Sequence, residues 1–134
     1  MAKLKREKKK VRPQAYGSHL ILDGYGADSK KLADVGLRYD TLNSLPKKIG
    51  MHKIGFPHII QFTKVPITGI SGFIFILESH ISIHTYSAQR FISVDVYSCR
   101  RFNPEIVIRF LEKIYRIKKM ETNLVKRGTY FNLK

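Results

Sequence analysis

A chain of 134 residues with 43% hydrophobic residues, eight Phe and seven Tyr has the apolar material for one packed domain, which excludes wholesale disorder. No apolar run approaches the roughly 20 residues of a membrane helix, the single cysteine cannot form an internal disulfide, and the N-terminus lacks the apolar segment of a signal peptide, so a cytoplasmic location is expected. The net charge of +15 is uneven, because residues 1 to 12 hold Lys3, Lys5, Arg6, Lys8, Lys9, Lys10 and Arg12 against Glu7 alone. This predicts a self-repelling, disordered basic tail over 1–15 and a single domain over 16–134. Such a tail touches polyanions nonspecifically. No RNP-like aromatic motif, zinc spacing or helix-turn-helix pattern points to a specific nucleic-acid partner.

In chain order, residues 17–23 read as a short strand ending in a turn-rich segment at Gly24 to Asp28. Gly24 and Gly26 open like a dinucleotide fingerprint, but Ser29 holds the third glycine's place, and that reading is discarded. From Asp28 or Ser29 as N-cap, Leu32, Val35, Tyr39, Leu42 and Leu45 recur at helical spacing, with Gly36 weakening the middle and Pro46 disfavouring continuation. A core-facing helix with one break is expected. Residues 51–55 read as a connector and 57–62 as a second strand, followed by a loop at Pro66 and Gly69. The continuous apolar run 73–77 reads as a strand buried on both faces.

The most informative stretch follows. Residues 77–85 and 91–99 alternate polar with apolar and are rich in β-branched and aromatic types, which predicts two strands joined by the four-residue turn 87–90. Counting outward from Tyr86 opposite Phe91 sets His84 against Ser93, Ser82 against Asp95, His80 against Tyr97 and Glu78 against Cys99. Asn103-Pro104-Glu105 is a helix start. Ile106, Val107, Phe110, Leu111, Ile114 and Ile117 form its apolar stripe, with Arg109, Lys113, Arg116 and Lys118 facing water, and a last strand is expected at 122–126. The order predicts an α+β two-layer sandwich, a mainly antiparallel sheet with two helices on one face. The other face needs a cover, and a second copy of the chain supplies one.

Three chemistries compete for the hairpin. His80 and His84 lie four apart as in a zinc helix, but on a strand they stand about 13 Å apart, so no metal is expected. A hydrolase triad of Ser79, His84 and Asp95 lacks the glycine-flanked elbow that exposes such a nucleophile. The third is self-cleavage, in which the Ser79 hydroxyl attacks the Glu78 carbonyl to give an ester. Elimination from that ester turns residue 79 into a pyruvoyl group, which forms a Schiff base with an amine and acts as an electron sink for decarboxylation.

Ile70-Ser71-Gly72, Leu77-Glu78-Ser79-His80-Ile81-Ser82-Ile83-His84-Thr85 and Val94-Asp95-Val96-Tyr97-Ser98-Cys99 resemble the prokaryotic S-adenosylmethionine decarboxylase proenzymes. The likeness extends from about Gly17 to Gly128. It implies a pyruvoyl enzyme cut between Glu78 and Ser79, with the covalent cofactor derived from Ser79 and S-adenosylmethionine as substrate, decarboxylated for spermidine biosynthesis. It also implies His84 as the proton-transfer residue of processing, Ser71 as its helper, Cys99 as the proton donor to the decarboxylated carbon, and a four-layer homodimer. The sequence departs from the pattern at Ser87 and Ala88, where relatives usually carry Pro-Glu with the glutamate on the ribose hydroxyls. It departs again at Thr63-Lys64-Val65-Pro66, where relatives often offer an aromatic for adenine. These departures keep open a pyruvoyl-dependent arginine or ornithine decarboxylase. A non-enzymatic paralogue that binds a partner or polyanion through its tail is the third reading.

Overall fold

The computed structural model describes residues 16–64 and 67–131. The expected tail at 1–15, residues 65–66 and residues 132–134 lie outside the described residues; of the two marks of the expected loop, Pro66 is among those outside and Gly69 instead lies within a strand, paired to Phe62. The elements run β1 (Gly17–Tyr25), α1 (Ser29–Leu32), α2 (Val35–Lys48), β2 (His52–Lys64), β3 (Ile67–Leu77), β4 (Ser79–Tyr86), β5 (Phe91–Ser98), α3 (Pro104–Tyr115) and β6 (Lys119–Arg127). One six-stranded sheet, ordered β2-β3-β4-β5-β1-β6, is antiparallel at every junction. No helix among the described residues is long and apolar enough to cross a membrane.

The period-two pattern decides which side of the sheet is core. Ile81 and Ile83 of β4, Ile92, Val94 and Val96 of β5, Leu20 and Leu22 of β1, and Ile74 and Ile76 of β3 are buried together with Leu32, Leu42, Leu45, Val107, Leu111 and Tyr115 from the helices. All three helices therefore cover one face, each such side chain contributing about 1.5–3 kcal/mol on leaving water. Inside this layer Arg38 is fully buried. Its Nε donates to the Tyr115 hydroxyl at 3.1 Å and its Nη1 to the Thr85 hydroxyl at 3.1 Å, tying α2 to α3 and β4.

The hairpin register is as counted, from Tyr86 opposite Phe91 through His84–Ser93 and Ser82–Asp95 to His80–Tyr97. The expected helix break falls at Ala33-Asp34, and its cause is a second N-cap. Asp28 caps α1 through Lys30 N and Lys31 N, and Asp34 caps α2 through Leu37 N. Pro46 does not stop α2, because it sits in the last turn, where a missing N–H forfeits a single helical bond.

Four expectations are corrected. Residues 51–55 are not a connector, since β2 begins at His52 and runs through Pro57. Pro57 is tolerated because β2 is an edge strand with a register shift between Ile54 and His58, where Gly55 takes φ +71°. Strand β3 is not buried on both faces: Phe75 is 54% and Leu77 46% exposed, because nothing among the described residues covers that side. Helix α3 buries Val107, Leu111 and Tyr115 at four-residue spacing, and Ile106 of the expected stripe points outward. The last strand is longer than expected, pairing with β1 along Lys119–Arg127.

Candidate active site

Strand β4 carries one group of functional side chains at its start and another near its end. At the start, Glu78 alone joins β3 to β4, and Ser79 follows with φ +144°. That backbone region disfavours any residue with a Cβ, at a cost of about 1–3 kcal/mol. The Cys99 N–H donates to the Glu78 carbonyl at 3.2 Å, so the pairing of Glu78 with Cys99 expected from the register is a direct hydrogen bond. Cys99 is a free, half-buried thiol. Its turn is fixed from beneath by fully buried Ser98, whose hydroxyl accepts from Arg100 N at 3.0 Å and contacts the Met51 sulfur at 3.3 Å. A side chain at position 17 would collide with the Ser98 carbonyl, so glycine lets β1 start beside this turn. The Tyr16 hydroxyl donates to Glu78 Oε2 at 2.8 Å. That carboxylate pushes the phenol up to about 12, keeping it a donor.

Near the other end, Ser71 of β3 pairs directly with His84 of β4. The Ser71 hydroxyl lies 2.8 Å from His84 Nδ1, which orients the ring and leaves Nε2 outside that bond. Along the strand, five residues at about 3.3 Å each separate His84 from Ser79, roughly 16 Å. The structure thus brings Glu78, Ser79 and Cys99 together and Ser71 and His84 together, and it holds the two groups apart within one chain.

Asp95 belongs to neither group. Its Oδ1 lies 2.8 Å from His19 Nε2, while Arg127 Nη1 lies 3.1 Å from His19 Nδ1. His19 is thus bracketed by an acidic and a basic side chain, one at each ring nitrogen. Ser82 adds a long bond to Asp95 Oδ2 at 3.4 Å. The Ser79, His84 and Asp95 triad is not assembled. Among the described residues no three His, Cys, Asp or Glu side chains gather as a metal site would require. Ala88 is exposed in the turn closed by Arg90 N to Ser87 O at 3.2 Å, and it offers no carboxylate.

Sequence reasoning missed Tyr16, Ser98 and the Cys99 main chain. Tyr16 meets Glu78 across 62 residues, and a main-chain donor leaves no mark in composition or spacing. Only Ser98 had a local sign, as a small polar residue on the buried parity of β5.

Comparisons with known proteins bear on the family and the fold. A family model described as S-adenosylmethionine decarboxylase matches residues 18–128. The S-adenosylmethionine decarboxylase proenzyme of Caldanaerobacter subterraneus subsp. tengcongensis is 30% identical over 117 residues, covering 87% of this chain and 91% of the relative. The Clostridium botulinum proenzyme is 28% identical over 113 residues, covering 84% and 94%. A crystal structure of the adenosylmethionine decarboxylase from Aquifex aeolicus superposes with TM-score 0.73 at 29% identity, covering 86% of this chain and 92% of that one. With most of its length matched in sequence and in fold, the chain belongs to the S-adenosylmethionine decarboxylase family.

Proposed function

We propose that this chain is a self-processing, pyruvoyl-dependent S-adenosylmethionine decarboxylase, supplying decarboxylated S-adenosylmethionine for spermidine synthesis. The observation that carries the reading is the Glu78-Ser79 junction, where a serine at φ +144° follows a carbonyl already accepting from Cys99 N–H at 3.2 Å. The Ser79 hydroxyl attacks the Glu78 carbonyl carbon, and the developing oxyanion meets that preset main-chain donor. Breaking the C–N bond gives an ester and frees the Ser79 amine. Loss of the residue 79 Cα proton then expels the Glu78 carboxylate, and water releases ammonia to leave the pyruvoyl end. A pyruvoyl group at residue 79 would supply a ketone for the substrate amine and an electron sink for decarboxylation. Cys99 delivers a proton to that carbon from its thiol.

His84 moves the protons of processing and Ser71 fixes its ring, yet about 16 Å of strand separates them from Ser79 in the same chain. A homodimer resolves this. Two chains related by a two-fold axis and packed through their open faces form four layers, and the Ser71–His84 pair of one protomer meets the Glu78-Ser79 junction of its partner. Exposed Ile60, Phe75 and Leu77 supply apolar area for that interface.

Co-expression of Ser79→Ala and His84→Ala chains tests the shared site. Each alone should remain a single uncut chain. A mixed dimer should cut the His84→Ala chain, whose Ser79 meets the partner's intact histidine. Absence of any cut chain in purified mixed dimers would defeat the shared arrangement. Ala88, exposed and without a carboxylate for ribose, favours a second reading, decarboxylation of arginine or ornithine by the same chemistry. Carbon dioxide release from a panel of the three substrates separates the two.

A further inference from the structure

Glu78 is held at both ends. Its carbonyl accepts from Cys99 N–H, and its side chain accepts from the Tyr16 hydroxyl at 2.8 Å. Tyr16 is itself anchored: its N–H donates to the Gly128 carbonyl at 3.0 Å. Its ring packs edge-on to Phe131 at 4.7 Å and to Tyr97 at 6.4 Å. A side chain at Gly128 would collide with Tyr16. So much fixing around one exposed carboxylate calls for a chemical reason, and the self-processing reading above, on which this inference rests, contains one.

A glutamate side chain can reach its own main-chain carbonyl carbon through a six-membered ring, and such intramolecular attack is fast once the geometry is met. While residue 78 is joined to Ser79 as an ester, a free Glu78 carboxylate attacking that carbon would form a cyclic anhydride. The carbon–oxygen bond to Ser79 would break, and the serine oxygen would take up a proton. Water would then open the anhydride to two carboxylates. The chain would be cut, one water consumed, and residue 79 left as a serine with a free amine instead of a pyruvoyl group.

We propose that Tyr16 is a positioning residue that holds the Glu78 carboxylate away from its own carbonyl and so commits the ester to elimination rather than hydrolysis. The raised phenol keeps this hold in place at any pH near neutrality. Tyr16→Phe removes the hydroxyl and keeps the ring that packs on Phe131 and Tyr97, so the fold survives.

The test is the intact mass of the C-terminal fragment from freshly purified wild type, Tyr16→Phe, Glu78→Gln and the double variant. A pyruvoyl end is lighter than a serine end by one ammonia. Wild type should be almost all pyruvoyl, and Tyr16→Phe should be cut with a several-fold larger serine-ended share. Adding Glu78→Gln should return that share to the wild-type level, because an amide is a poor nucleophile; a merely structural loosening would not be reversed this way. An unchanged share in Tyr16→Phe, or a double variant as rich in serine ends as Tyr16→Phe, overturns the role of Tyr16 and leaves self-processing intact. An uncut wild type overturns both.

Discussion

The helix-covered face of the sheet presents Leu22, Ile74, Ile81, Ile83, Ile92 and Val96 at 0–1% exposure, whereas the opposite face leaves Ile60, Phe75 and Leu77 at 63%, 54% and 46%. The same strands supply both, one residue apart. The first face is completed by the chain's own helices. The second carries the polar line of His19, Asp95, Ser82, Ser71 and His84 between apolar margins with no partner among the described residues. Stability and chemistry are thus assigned to opposite parities of one hairpin, and a substitution should act on one with little effect on the other.

The largest effect should come from Ser79→Ala, which removes the attacking hydroxyl. The purified protein should stay one chain with no measurable decarboxylation and a melting temperature close to that of the uncut His84→Ala chain. Next is Cys99→Ala. It should still be cut, because its main-chain donor to Glu78 remains, but turnover should fall roughly 10²-fold or more as the general acid is lost. The residual enzyme should inactivate itself as protons go to the wrong carbon, visible as a mass change after incubation with substrate.

A paired substitution sharpens the contrast between the faces. Ile83→Ala on the covered side should lower the unfolding free energy by about 2–5 kcal/mol, read from urea titration, while cleavage below the transition continues. Phe75→Ala on the open side should barely move the stability of one protomer, yet it should shift sedimentation toward monomer and slow cleavage. Loss of cleavage without loss of the dimer would separate the open face from the shared site.

How much of this was readable depends on whether the deciding interaction was local. The β4–β5 register was legible because two period-two strands around a four-residue turn admit one parity, and the start of α3 was legible because Asn103, Pro104 and Glu105 act on their own backbone. The beginning of β2 was not, because Gly55 and Pro57 look like breakers unless the strand is known to lie at an edge, and that is a tertiary fact. A continuous apolar run such as 73–77 cannot say whether its second face meets this chain or another. Asp95 reads as a triad member from the hairpin alone; its partner His19 comes from β1, and Arg127 of β6 bonds the far side of that same ring.

The smallest effect concerns pH. The Lys31 and Lys30 main-chain N–H groups hold the Asp28 carboxyl below its ordinary value of 3.8, Lys31 most strongly, with burial opposing them. The stabilisation is therefore complete above that ordinary value and is lost as pH falls through the lower folded one. Asp28→Asn keeps a competent N-cap and removes the titration. Its acid unfolding curve should lose a shallow component and match the parent's above pH ~5.

The strand order has a further consequence for a chain cut after Glu78. Strands β1, β2 and β3 precede the cut and β4, β5 and β6 follow it, yet in the sheet they interleave, with β1 lying between β5 and β6. The two pieces share three hydrogen-bonded seams, so cutting does not release either. Unfolding, however, would set free two molecules instead of one, and reassembly would become a second-order encounter, slow when dilute and exposed to aggregation. The mature protein would then persist by the height of its unfolding barrier, its heat inactivation depending on time and scan rate. Folding would be a step for the uncut precursor to finish, because a cut chain would have no intramolecular route back.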